Sequence, residues 1–128
     1  MQAIEMSKDH KPDDEIEKKR ILKAKGEITL GRVDGNLNLS RAFGDFEYKQ
    51  DKKLSPKEQK ITAFPDITEF EITPKDEFIL VGCDGIWDGR SNQENVDSVR
   101  EKLFSEKMNL DGTIESLLNE LLAKNTNG

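Results

Sequence analysis

The chain has one cysteine, Cys83, and therefore cannot form an intrachain disulfide. It also lacks any apolar run near the roughly 20 residues that cross a bilayer, and its N-terminus lacks the apolar core of a signal peptide. These absences favour a cytoplasmic or nuclear location and predict no association with a membrane.

Basic residues are in deficit, and apolar residues are scarce. The 128 residues include 26 acidic and 20 basic side chains, which gives a formal net charge of −6. Nucleic acids attract basic surfaces, so we expect no nucleic-acid partner. The chain is 34% hydrophobic and 36% charged, which predicts either one solvated, loop-rich domain or a piece of a larger domain.

The most informative stretch joins an apolar run to an acidic turn. Residues 78–81 are all apolar, which predicts a strand buried on both faces. Asp84 and Gly85 then predict a turn, and a second acid, Asp88, follows the only tryptophan, Trp87. Two acids at the end of a buried strand indicate a cation site. The alternative is an ordinary turn, with Trp87 a core residue whose indole N–H binds a carbonyl.

Three helices are predicted from their capping residues. The first is capped by Asp13, runs to about Lys25 and is stopped by Gly26, with acids in its first turn and bases in its last. The second begins with a capping box formed by Ser91 and Glu94, and the third is capped by Asp111. The last two each have one apolar stripe, for which we expect a β-sheet as the packing partner.

Two β-hairpins are predicted. The first follows a short strand at residues 28–30 and turns at residues 34–35, an Asp-Gly pair. The second pairs an alternating strand at residues 68–72 with the apolar run at residues 78–81. Both hairpins imply antiparallel pairing.

Three segments together resemble the metal-dependent protein serine/threonine phosphatases of the PP2C type. Residues 7–12 are similar to that family's Asp-His-Lys-Pro segment, residues 32–45 to its hairpin ending in Ser-Arg-Ala-Leu-Gly-Asp, and residues 83–88 to its Asp-Gly-Ile-Trp-Asp motif. The resemblance implies an α+β fold, in which the chain forms part of an antiparallel β-sandwich flanked by helices in α-β-β-α layers. It also implies that residues 1–128 are the C-terminal portion of the catalytic domain, with residues 49–60 as an exposed, flap-like loop.

The same resemblance implies a metal site and a reaction. Asp84 resembles the aspartate that binds one ion of a binuclear Mg²⁺ or Mn²⁺ centre, and Asp9 and Asp88 resemble the acids that hold a third, weaker ion with it. Ligation by oxygen alone suits these hard cations. The implied enzyme is a protein phosphatase, in which metal-activated water hydrolyses phosphoserine and phosphothreonine in phosphoprotein substrates.

The resemblance also implies parts that this sequence does not contain. The family's Asp-Gly-His-Gly segment, an early glutamate and a phosphate-binding arginine should precede residue 1, and a further metal-binding aspartate should follow residue 128. We therefore expect the chain alone to be inactive, and open sheet edges would let copies of it self-associate.

Other interpretations stay open at this point. The chain is alternatively a degenerate phosphatase-like module that binds phosphoproteins without cleaving them, or a small metal-sensing domain. Asp9 is alternatively the cap of a turn, and Arg41, which would need a carboxylate partner if buried, is expected to form a structural ion pair with Asp45.

Overall fold

The computed structural model describes residues 2–122, which form two compact units. The first unit is Ser7–Glu69, and the second comprises the described residues among 1–6 and 70–128. Helices and a small two-stranded antiparallel sheet make up the regular structure of the described part, which agrees with the predicted α+β class. None of the helices in residues 2–122 is long and apolar enough to cross a membrane.

Helix α1 (Glu15–Lys23) opens the regular structure of the first unit. Its N-cap is Asp14, one residue after the predicted Asp13, and the Asp14 carboxylate accepts from the Lys11 N–H at 3.2 Å instead of capping the helix. The predicted stop at Gly26 is confirmed. A side chain at this glycine would place its Cβ 2.9 Å from the Ile21 side chain, so the close approach of the chain to Ile21 favours glycine here.

Two further hydrogen bonds close the C-terminal end of α1. The Gly26 N–H donates to the Ile21 carbonyl at 2.9 Å, and the Lys25 N–H donates to the Leu22 carbonyl at 3.0 Å. This pair of bonds requires a residue in the left-handed conformation directly after the C-cap of the helix. Lys25 is that residue, with a φ of 60°. A lysine thus adopts a conformation that favours glycine.

Strands β1 (Ile28–Thr29) and β2 (Arg32–Val33) pair antiparallel. They are joined by a tight turn at residues 30–31, where both φ angles are positive, and the sequence analysis missed this turn. The predicted Asp-Gly turn at residues 34–35 is present as a second turn, which brings Leu37 back onto the last residue of β2. Strand β1 ends at residue 29 instead of 30 because Leu30 lies in the first turn.

A small apolar core and a buried ion cluster hold the first unit together. Ile21, Val33 and Ile61 are fully buried. Beside them, the Glu17 side chain accepts a hydrogen bond from Arg20 Nη1 at 2.5 Å, although Glu17 is only 1% exposed. A carboxylate at this depth must be paired to remain ionised.

Arg41 is the second cationic partner of Glu17, and its predicted pairing with Asp45 is wrong. Arg41 Nη2 donates to Glu17 Oε1 at 2.5 Å, and Nη1 donates to Asp66 Oδ1 at 2.9 Å. A parallel bridge between Arg41 and Thr62 brings the chain before residue 66 alongside the arginine. Asp45 instead precedes a 3₁₀ turn, so its closeness along the sequence did not indicate closeness in space.

The cluster fixes the charge state of its members. Burial alone would raise the pKa of the Glu17 carboxyl, but hydrogen bonds from Arg41, Ser40 and Arg20 lower this pKa to about 2. The same contact with Glu17 raises the pKa of the Arg41 guanidinium above its usual value. Both groups are therefore charged throughout the ordinary pH range.

The regular structure of the second unit is helical: α2 (Asp84–Trp87), α3 (Asn92–Arg100), a π-helical turn (Glu101–Ser105) and α4 (Leu110–Leu121). The predicted capping box of α3 is confirmed, because the Ser91 hydroxyl accepts from the Glu94 N–H at 3.3 Å and the Glu94 carboxylate accepts from the Ser91 N–H at 2.8 Å. The predicted cap of α4 is wrong. Asn109, not Asp111, accepts from the Gly112 N–H at 2.8 Å, since the helix begins before residue 111.

The predicted sheet partner for these helices is absent from the described residues of the second unit. Helices α3 and α4 pack on each other instead and bury Val99 and Leu117. Glu120 of α4 accepts from Lys102 at 2.6 Å and from Arg90 at 2.8 Å, and these hydrogen bonds lower its pKa to about 2. An apolar contact and an ion cluster thus join the helices.

The predicted hairpin of residues 68–72 and 78–81 is wrong, although its turn forms. The Asp76 N–H donates to the Thr73 carbonyl at 3.0 Å, as in a turn, but no strand ladder joins the flanking segments. Ile79 is 74% exposed and Val81 is 87% exposed, so this run is not a buried strand. A strand needs a hydrogen-bonded neighbour, and nothing among residues 2–122 provides one for these segments.

Replacing Lys25 by glycine should raise the free energy of unfolding by about 1 kcal/mol. The left-handed conformation costs a residue with a Cβ about 1–2 kcal/mol, and the larger entropy of glycine in the unfolded chain offsets part of this gain. Urea denaturation followed by circular dichroism measures the change. As a control, Lys18→Gly in the exposed middle of α1 should lower stability by about 1 kcal/mol, and a loss of stability in both variants would contradict the assignment.

Replacing Glu17 by glutamine should lower the free energy of unfolding by about 3 kcal/mol or more, because it leaves the largely buried guanidinium of Arg20 without its counter-ion and that of Arg41 with only the exposed Asp66. The matched control is Glu15→Gln on the same helix. The Glu15 side chain is 81% exposed and pairs with Lys19, so we expect a loss below about 0.5 kcal/mol. Equal losses in the two variants, measured by urea denaturation, would show that the buried cluster does not stabilise the unit.

The stabilisation from Glu17 should depend on pH in a defined window. The folded pKa is about 2 and the ordinary value is 4.5, so folding favours the ionised form. The contribution is complete above pH 4.5 and is lost as the pH falls towards 2. We expect the stability difference between the natural chain and Glu17→Gln to shrink across this window in denaturation experiments at several pH values. A difference that stays constant down to pH 2 contradicts this assignment.

Candidate metal site

Two predicted site residues lie at the two ends of one helical turn. Asp84 is the first residue of α2 and Asp88 is its C-cap, and the Asp88 N–H donates to the Asp84 carbonyl at 2.8 Å. Both side chains are exposed, and within residues 2–122 neither carboxylate has a hydrogen bond or an ion pair. The turn therefore presents two unpaired carboxylates to solvent.

The backbone of this turn is held by two hydrogen bonds and by the close approach of Ile86 to Gly82. Trp87 Nε1 donates to the Gly82 carbonyl at 2.8 Å, which is the bond that the alternative interpretation expected, although Trp87 is only half-buried and not a core residue. Asn95 of α3 is fully buried and donates its amide to the Ile86 carbonyl at 3.0 Å. A side chain at Gly82 would place its Cβ 2.7 Å from Ile86, so glycine is required there. These contacts fix the backbone that carries the two aspartates.

Asp9, the third predicted ligand, lies in the first unit. Its carboxylate is 79% exposed and pairs with Lys11 Nζ at 3.2 Å. The next residue, His10, is held at two points: its ring Nε2 lies 2.9 Å from Asp66 Oδ2, and its carbonyl accepts from the Ser40 hydroxyl at 2.6 Å. Asp9 is thus an exposed acid on a loop, and the residue after it, His10, is fixed by contacts with Asp66 and Ser40.

The loop beside Asp9 is connected to the buried ion cluster. Asp66, which contacts His10, also accepts from Arg41, and these hydrogen bonds, led by that from Arg41, lower the pKa of Asp66 to about 2. The Ser40 hydroxyl lies 2.7 Å from Glu17 Oε2 as well as 2.6 Å from the His10 carbonyl. The sequence analysis missed Glu17, Ser40 and Asp66, and the only sequence signal was the spacing of Glu17 three residues before Arg20.

The structure brings two of the three predicted ligands together on one element. Among residues 2–122, no group of three or more histidine, cysteine, aspartate or glutamate side chains is placed to hold a metal ion. The joint role of Asp9, Asp84 and Asp88 therefore stays a prediction. The donor chemistry fits: both unpaired acids of the α2 turn offer only oxygen, which Mg²⁺ and Mn²⁺ prefer.

The known proteins described here that are similar to this chain belong to one family. The family profile described as Protein phosphatase 2C matches residues 1–128. The Probable protein phosphatase 2C 60 of Arabidopsis thaliana is 50% identical over 127 residues, which are 99% of this chain and 35% of that protein. The Probable protein phosphatase 2C 5 of Paramecium tetraurelia is 49% identical over 123 residues, which are 96% of this chain and 41% of that protein.

A solved structure gives the same result for the fold. The crystal structure of a phosphatase from a pathogenic strain of Toxoplasma gondii superimposes with a TM-score of 0.77 at 33% sequence identity, covering 91% of this chain and 36% of that one. The chain thus spans 35–41% of the length of the two relatives described above. With a family profile that matches all 128 residues, this chain belongs to the protein phosphatase 2C family.

Proposed function

We propose that a domain containing this chain hydrolyses phosphoserine and phosphothreonine in proteins, with Mg²⁺ or Mn²⁺ bound partly by Asp84. The family match over the whole chain carries the proposal, and it is supported by the α2 turn, whose two acids have no protein partner within residues 2–122. Residues 1–128 would then form the C-terminal portion of the catalytic domain.

The proposed metal ligands are Asp84, Asp88 and Asp9. When bound, divalent cations supply Lewis acidity that lowers the pKa of water and neutralises charge on phosphoryl oxygens. The residues of this chain provide anionic oxygen donors and a rigid support for them. Asn95 and Trp87 fix the α2 turn through backbone carbonyls, so Asp84 and Asp88 do not depend on a flexible loop for their direction.

The loop at residues 49–60 is proposed to help select substrates. Its interior is held by Gln59, whose amide donates to the Asp51 carbonyl at 2.7 Å and to the Leu54 carbonyl at 3.0 Å. Lys52 and Lys53 at its tip are exposed and have no ion-pair partner among the described residues. A loop with an ordered base and free cations at its tip suits contact with an acidic or phosphorylated segment of a substrate protein.

The proposal is tested by a chimaera. The 127 aligned residues of the Arabidopsis thaliana relative would be replaced by those of this chain, and activity measured on a phosphothreonine peptide with Mn²⁺ and with Mg²⁺. We expect metal-dependent hydrolysis, which Asp84→Asn should lower at least about 100-fold because it removes an anionic ligand. Asp111→Asn, an exposed acid at the start of α4, is the matched control and should change the rate less than about twofold.

Other outcomes of this experiment separate the competing functions. The 128-residue chain alone should show no turnover under the same conditions, and substantial Asp84-dependent turnover would contradict this expectation. A folded chimaera that binds the phosphopeptide without hydrolysing it would favour a phosphoprotein-binding module. Full activity in the Asp84→Asn chimaera would refute the proposed metal role.

A further inference from the structure

We propose that Ser40 is a positioning residue that holds the loop carrying Asp9 in place for metal binding. The inference rests on the proposed role of Asp9 as a metal ligand. It concerns a residue that does not itself offer its side chain to the ion, because Ser40 is fully buried and directed at other protein groups.

The first step is that Asp9 has little to fix it directly. Its carboxylate is 79% exposed, and within residues 2–122 it pairs only with the flexible Lys11 side chain, at 3.2 Å. Exposed ion pairs of this kind contribute little to order. The position of Asp9 must therefore come from the backbone on either side.

The second step is that Ser40 binds the backbone of His10, the residue directly after Asp9. The His10 carbonyl accepts from the Ser40 main-chain N–H at 3.3 Å, and the Ser40 hydroxyl oxygen lies 2.6 Å from the same carbonyl oxygen. Pro12, two residues further on, is fully buried and closes the loop before α1. Asp9 thus precedes a segment that is anchored by one serine and one proline.

The third step is that Ser40 is itself fixed by the buried ion cluster. Its hydroxyl lies 2.7 Å from Glu17 Oε2, and its carbonyl accepts from Arg20 Nη2 at 2.5 Å. The single hydroxyl proton serves the His10 carbonyl or the Glu17 carboxylate, so the serine oxygen is confined between two acceptors. Through Ser40, the buried ion cluster thus restricts the position of the loop that carries Asp9. Removing a group that orients a metal ligand without itself binding the metal typically lowers the metal affinity about 10–100-fold.

The test is a titration of the 128-residue chain with Mn²⁺, followed by the paramagnetic broadening of backbone amide signals in NMR spectra. In the natural chain we expect selective broadening at residues 8–10, which Asp9→Asn should abolish. Ser40→Ala should raise the Mn²⁺ concentration for half-maximal broadening about tenfold. Ser55→Ala removes another hydroxyl bonded to a carboxylate, that of Glu58 at 2.9 Å, and should leave the midpoint unchanged.

If Ser40 only stabilised the fold, its replacement would disturb the whole unit, and signals from the core would shift. The same spectra therefore provide a control. The amide signals of Ile21 and Val33 in the core should keep their positions in Ser40→Ala. If they do not, Ser40→Cys decides, because the thiol has nearly the same size but donates a poorer hydrogen bond, and the same rise of the midpoint is expected.

The ligand role of Asp9 and the positioning role of Ser40 are contradicted by different results. Broadening that is absent, or that persists in Asp9→Asn, would remove the ligand role of Asp9 and with it the inference. Broadening that depends on Asp9 but has the same midpoint in the natural chain and in a folded Ser40 variant would overturn the positioning role alone.

Discussion

The first unit depends on a fully buried carboxylate, that of Glu17. Taking a charged carboxylate out of water costs several kcal/mol, and only well-placed donors offset that cost. Arg20, Arg41 and Ser40 provide these donors, one from α1 and two from the segment that follows the hairpin. Because all three must reach the same two oxygens, few arrangements of helix and segment satisfy them. The cluster therefore specifies the geometry of this unit more narrowly than its three-residue apolar core does.

The features that the sequence predicts correctly have local energetics, although the local cap assigned to Asp111 is wrong and the turn at residues 30–31 was not predicted. The capping box at Ser91, the helix stop at Gly26 and the turn at residues 34–35 each depend on contacts within a few residues, and all three are confirmed. The partner of Arg41 is a different case, because Glu17 is 24 residues away along the chain. On a helix, Glu17 three residues before Arg20 is typical of an exposed surface pair. Only the path of the chain shows that this pair is buried.

The same distinction explains the missing strands. Residues 68–72 and 78–81 have the apolar pattern of strands, but a strand is stabilised by hydrogen bonds to a neighbour and by burial of its apolar face. Within residues 2–122 neither condition is met for these segments, and large apolar side chains such as Ile72 and Val81 remain mostly exposed. A turn forms at Thr73 because it needs four residues only. The apolar pattern of these segments therefore favours strands, but the contacts among residues 2–122 do not form them.

The candidate site shows the opposite situation, in which a local arrangement is unfavourable by itself. Asp84 and Asp88 are like charges four residues apart, and this repulsion opposes stability by a few tenths of a kcal/mol, whereas the helix dipole favours Asp84 at the N-terminal end of the turn and disfavours Asp88 at its C-terminal end. Other acids of the second unit, such as Glu94 and Glu120, are engaged by caps or cations. The α2 turn is nevertheless braced by Asn95 from α3 and by Gly82 before it. Repulsive acids on a rigid support are stabilised by a divalent cation, and this cost in the absence of an ion is the physical argument for a metal-binding role.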